Sequence, residues 1–191
     1  MKNGYTLIEV LVAVGIFTIL IAAPTGFFVG SLRGQLKALS SQKLLDNTSY
    51  ALEYISRSLR MAKKELSADP LTACLLEGGT SLYGRNYQIT RGGNGLKFKN
   101  YKDECQEFFL DGSDSRLKES KNGATPIALT AEDLEIISLK FKLSGESQTD
   151  NDQPRVTLFL EIKGGKGQME ELQPLIKIQT TISQRNLDVP Y

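Results

Sequence analysis

Between Val10 and Leu32 the chain runs for 23 consecutive residues, VLVAVGIFTILIAAPTGFFVGSL, without an Asp, Glu, Lys or Arg. A helix of that length crosses a hydrocarbon layer roughly 30 Å thick. After Arg33 the chain turns polar and stays mixed. The expectation is one N-terminal membrane segment followed by a soluble domain. Composition narrows what such a domain does. No histidine occurs among the 191 residues, which removes His-based nucleophile pairs, general bases and metal sites. Two cysteines alone do not build a four-ligand zinc site. Lys and Arg number 23 against 22 Asp and Glu, so a whole-chain pull toward nucleic acid is absent. We expect no enzyme, no cofactor, no metal and no direct nucleic-acid partner.

Three kinds of N-terminal segment carry such a run. A secretory signal peptide has an apolar region of about 7 to 15 residues and a small-x-small cleavage site. This run is longer, and Ala22-Ala23-Pro24 places no clean site. A plain signal anchor fits the length. It leaves Glu9 and Gly4 unexplained. Glu9 sits one residue before the uncharged run, where a carboxylate is costly unless paired or hydrated. Its ordinary account is an interfacial carboxylate reaching headgroup water. Gly4 follows a leader of only Met1-Lys2-Asn3.

The third kind accounts for both. Gly4-Tyr5-Thr6-Leu7-Ile8-Glu9-Val10-Leu11-Val12-Ala13 resembles the N-terminal signature of type IV prepilins and type II secretion pseudopilins. The resemblance implies cleavage after Gly4 by a prepilin peptidase and methylation of the new Tyr5 amine. It implies that Glu9 of one subunit meets the Tyr5 amine of a neighbour in a filament. Both charges lie out of water there, so removing one strands the other. Pro24 is expected to kink or locally melt the helix. The resemblance gives that proline a loosening role in assembly, a simple kink being the alternative. The implied partners are the peptidase, other pilin or pseudopilin subunits and the inner membrane. The globular domain would be extracytoplasmic, and in a pilus or pseudopilus after assembly. Charge counting does not supply that orientation, because Lys2 on the short side faces Arg33 and Lys37 on the other. The competing reading is a signal-anchored extracytoplasmic ligand-binding or enzyme domain with no filament role.

Beyond the apolar run, Leu36, Leu39, Leu44, Thr48, Leu52, Ile55, Leu59, Ala62 and Leu66 recur mostly every three or four residues. That is one apolar helical stripe. No proline lies between Pro24 and Pro70, so a helix from Tyr5 to about Ser67, roughly 95 Å long, is predicted. Seven Lys and Arg between Arg33 and Leu66, against Asp46, Glu53 and Glu65, make a basic face that reads as solvated, binding of headgroups or an acidic polymer being the alternative.

Strands are expected next. Tyr87 and Ile89, then Gly92-Gly93-Asn94-Gly95, suggest a hairpin into 96–101. Further strands fall at 107–110 and 116–118. Ile137, Leu139, Phe141 and Leu143 alternate with polar residues, as do Val156 to Ile162 and Ile176 to Ile182. Each reads as a half-buried strand of an antiparallel meander. Residues 179–185 also resemble the last strand of larger minor pilins of the type W pilin and type J pseudopilin kind.

The expected architecture is α+β and pilin-like, a long N-terminal helix packed on a C-terminal antiparallel β-sheet. Its parts are a leader (1–4), a transmembrane and filament-core helix (5–32), an amphipathic continuation (33–67) and a β-rich domain (68–191). Cys74 and Cys105 enclose about 30 residues. Their even number and an extracytoplasmic setting favour a disulfide, two buried thiols being the alternative. The glycine-rich stretches 92–95 and 164–167 complete no phosphate-binding pattern and read as turns. Asp111, Asp114, Asp150 and Asp152 lack the register of a calcium loop and read as turn residues.

Overall fold

The computed structural model describes residues 4–146 and 152–185. Leader residues 1–3, Lys2 among them, and Asp150 lie outside that range. The chain opens with one helix, α1 (Leu7–Arg60), of 54 residues and about 80 Å. A short ribbon follows, β1 (Leu76–Glu77) with β2 (Thr80–Ser81). Next comes a five-stranded sheet of β3 (Tyr87–Thr90), β4 (Gly95–Lys99), β5 (Cys105–Asp111), β6 (Arg116–Lys121) and β7 (Ile127–Ala128). Its strands lie side by side in chain order, and every neighbouring pair is antiparallel. The last sheet has three strands, β8 (Glu135–Ser144), β9 (Arg155–Lys163) and β10 (Leu175–Ser183), with β9 in the middle. The α+β layout is therefore the expected one: the three C-terminal strands form the expected antiparallel meander, and the earlier strands form a sheet of their own.

One core joins these elements. From α1 come Leu44, Ala51, Ile55 and Leu59, each 2% exposed or less. Tyr87, Phe98 and Phe108 meet them from the five-stranded sheet, and Leu158, Ile162 and Ile182 from the other. Burying an aliphatic or aromatic side chain of this size contributes about 1.5–3 kcal/mol. Polar ties join α1 and the residues just after it to the sheets and the segments beside them. The Tyr87 hydroxyl donates to the Leu59 carbonyl at 2.6 Å. The Gln184 amide donates to the Ala62 carbonyl at 2.7 Å. Ser40 donates to Gln168 at 3.0 Å.

Three details differ from the periodicity. The helix stops at Arg60, short of Ser67. Backbone pairing takes over beyond it: the Lys63 amide donates to Lys99 O and the Glu65 amide to Arg85 O, at 2.9 and 2.8 Å. Leu66 is consequently exposed. Second, Leu36 and Leu39 are also exposed, and the buried stripe begins only at Ser40. Third, a β-bulge falls between Ile136 and Ser138. The extra residue turns Ile137 outward and puts Ile136 in the core.

Candidate functional site

The N-terminal half of α1 stands clear of the globular part. Every described side chain from Leu7 to Leu39 is exposed, including Leu7, Ile16, Phe17, Phe27 and Phe28. The most apolar 18-residue window there has a mean hydropathy of 2.4, and none of it is buried. It is one helix long and apolar enough to cross a membrane. A stretch of this composition left bare in water is expensive, at roughly 25 cal/mol per Å² of apolar surface. It needs lipid or other apolar helices around it.

The start of this helix is built from the short motif itself. Thr6 is the N-cap, in extended conformation at φ −83° and ψ 151°. Its side-chain oxygen accepts the Glu9 amide at 3.4 Å, and its carbonyl accepts the amides of Glu9 and Val10 at 3.1 and 3.3 Å. Thr6-x-x-Glu9 has the spacing of a capping box, a signal the periodicity argument passed over. Glu9 sits in the first turn, where a carboxylate favours the positive end of the helix dipole. Gly4 and Tyr5 precede the helix in open backbone, and Tyr5 is 85% exposed. The Gly4–Tyr5 peptide is thus accessible, one residue ahead of the cap. The Tyr5 nitrogen and Glu9 belong to one short segment, so in a bundle of parallel copies both would lie at similar depth.

Pro24 lies inside α1, and the helix runs through it without a break. Of the kink or locally melted turn expected there, the melted turn is not formed. Proline still removes the amide that would bond the Leu20 carbonyl. Next to it, the Thr25 hydroxyl donates to the Ile21 carbonyl at 2.8 Å.

The structure joins Cys74 to Cys105, with Cα atoms 5.4 Å apart. This ties the segment after α1 to the start of β5. Beside it lies a carboxylate whose place among the charges after Arg33 predicts a solvated residue. Glu65 is fully buried. One carboxylate oxygen accepts the Ser67 amide at 3.0 Å, and the other accepts those of Cys74 and Leu75 at 2.6 and 3.3 Å. Lys99 stands 3.8 Å away. Three residues on from Ala62, Glu65 falls where the apolar stripe would have its next member.

Of the four carboxylates expected in turns, Asp111 closes β5 and Asp114 lies in the turn that follows it. Asp111 and Asp114 both grip the Lys118 ammonium, at 2.6 and 2.7 Å. The lysine holds both carboxyls below the usual range, helped by the Ser113 amide and hydroxyl at Asp111 and by the Arg116 amide at Asp114. Both glycine-rich stretches are turns, with Gly92 and Gly165 at positive φ. On the solvated face of α1, Lys43 pairs with Asp133 and Arg57 with Glu53.

No curated protein and no solved structure matches the chain. Residues 1–23 match a family model described as the prokaryotic N-terminal methylation motif. That match spans Gly4, Tyr5, Glu9 and the first part of the bare helix. The N-terminus of this chain therefore carries the prepilin-type cleavage and methylation signature.

Proposed function

We propose that the protein is a minor pilin or pseudopilin, a structural subunit of a type IV pilus or type II secretion-like filament. The observation that carries this reading is a methylation signature leading directly into an unburied apolar helix. Before assembly the bilayer covers residues 5–32. In the filament, the same residues of neighbouring subunits do. Prepilin peptidase cleaves after Gly4, which turns the Tyr5 amide nitrogen into a free amine, and methylation leaves it cationic. Glu9 then gains a charge partner on the next subunit, and desolvation strengthens that pairing. Pro24 frees one carbonyl in mid-helix, which favours bending there as neighbours pack. The globular domain lies outside the cytoplasm, in keeping with the Cys74–Cys105 disulfide.

The test is the intact mass and N-terminal peptide of the membrane-extracted protein, with and without co-expressed prepilin peptidase. Loss of Met1 to Gly4 together with a methyl mass on Tyr5 is expected. An unprocessed N-terminus beside an active peptidase would leave a signal-anchored domain instead.

A further inference from the structure

A cavity of about 380 Å³ opens between the last turns of α1 and the five-stranded sheet. Its floor holds two side-chain amides withdrawn from water, Asn100 at 4% exposure and Gln106 at 2%. Asn100 is saturated. Its nitrogen donates to Glu104 and to Gln106 Oε1 at 3.0 and 3.2 Å, and its oxygen accepts the Lys102 and Glu104 amides at 2.9 and 3.0 Å. The Gln106 nitrogen donates to Glu119. Glu119 also accepts the Tyr54 hydroxyl at 2.8 Å and pairs with Lys121 at 3.2 Å. Gln106 is thereby locked in one orientation, with one N–H and one lone pair still to satisfy. Pre-set polar groups of this kind mark a built site rather than a fortuitous dent.

The mouth and its charges narrow the ligand. Two exposed tyrosines, Tyr50 and Tyr101, flank the opening, and Tyr54 lines the inner wall. The charges balance: Arg57 pairs with Glu53 at 2.7 Å and Lys121 with Glu119 at 3.2 Å, while Lys102, over the Tyr101 ring at 5.6 Å, and Glu104 add one of each sign. Polyanions and strongly basic peptides therefore meet no net field of their liking. A group that both donates and accepts, and that offers an apolar face, suits amides below and phenol rings above. The volume falls in the range of small-molecule sites. Tyr54 lies 22 residues beyond Leu32, about 33 Å along the helix and out of headgroup reach.

We propose that this cavity binds a neutral, hydroxyl-rich ligand, a single hexose unit of a glycan. The apolar ring face rests on Tyr50 or Tyr101, and a hydroxyl bonds the Gln106 amide. Asn100 and Glu119 are positioning residues that hold that amide. The assignment stands independently of the filament reading.

The experiment is saturation-transfer NMR on the full chain in lipid nanodiscs. The probes are the methyl glycosides of glucose, galactose, mannose and N-acetylglucosamine. Transfer to the ring protons of at least one is expected, with Kd on the order of 1 mM for a single unit. Tyr50→Ala and Tyr101→Ala alter exposed rings, so the fold persists, as an unchanged melting temperature would verify. At least one of the two should weaken binding about tenfold. Tyr83→Ala, at an exposed tyrosine away from the cavity, should leave it unaltered. The proposal is overturned by silence from all four glycosides. It is equally overturned by transfer that survives both cavity variants. Binding that fades as salt rises would indicate a charged partner and also overturn it.

Discussion

The Glu65 carboxylate accepts the Cys74 amide at 2.6 Å, directly beside the disulfide that Cys74 forms with Cys105. A buried anion thus sits where the chain leaves α1 and begins its return to the sheet. Removing it leaves three backbone amides without their acceptor. Glu65→Ala is expected to cost about 2–4 kcal/mol in chemical denaturation. A change under about 0.5 kcal/mol would show that water replaces the carboxylate at no cost.

The same residue sets an acid limit. Burial alone raises the Glu65 pKa, but the amides of Ser67, Cys74 and Leu75, with Lys99, outweigh it and the net shift is downward. The unfolded chain therefore binds the proton more readily than the folded one. The contribution is fully present above the ordinary glutamate value of 4.5 and is lost as pH falls through the folded value. Denaturation midpoints measured from neutral pH downward should fall below that point. Glu65→Gln should flatten this acid limb, and an unchanged limb would reassign it to other carboxylates.

The Cys74–Cys105 bond closes a separation of 31 residues. The chain-entropy relation assigns such a loop about 3–4 kcal/mol. Replacing both cysteines by serine should lower stability by that order. Equal denaturation curves with and without reductant would show that the unfolded state is restrained in some other way.

Two isoleucines on one helix should answer truncation in opposite ways. Ile55 is 1% exposed in the core, and Ile16 is 55% exposed on the bare half. Ile55→Ala is expected to cost about 2–5 kcal/mol. Ile16→Ala should leave the stability of the globular part within about 0.5 kcal/mol. On the proposed function, its effect falls on membrane retention or filament yield. Comparable losses of globular stability would mean the two halves of α1 unfold as one unit.

At the N-terminus, Gly4→Ala or a bulkier residue should block maturation, read as retention of Met1 to Gly4 by mass. Glu9→Ala should spare membrane insertion and lower the sheared-filament fraction. Normal incorporation of the Glu9 variant would dismiss the pairing with the Tyr5 amine. Because Thr6 supplies the cap, losing the Glu9 side chain should not unwind the helix start.

Much of this was legible in the residues because the signals are local. The Gly4 to Glu9 signature, the uncharged run and the period-two strands each declare themselves within a short window. The strands around Phe141, Leu158 and Ile182 appear where alternation placed them. Ala51 was missed because a small side chain carries little periodic signal, although it is 2% exposed against the sheets. Glu65 and the Asn100–Gln106–Glu119 cluster were missed because a buried polar residue looks, in sequence, like a solvated one. Only its partners distinguish it.

By itself the sequence determined that a prepilin-type N-terminus leads into an apolar helix long enough to cross a membrane, and that alternating strands follow. Charge absence and side-chain period depend on neighbours in the chain, so no partner is needed to read them. Tertiary structure alone decided where α1 ends, how the strands divide into two sheets, and that the bulge turns Ile137 out. Those outcomes follow from hydrogen bonds between distant segments, such as Lys63 with Lys99 and Glu65 with Arg85. Such pairings depend on which backbone groups meet once the core has closed, and side-chain pattern does not encode them.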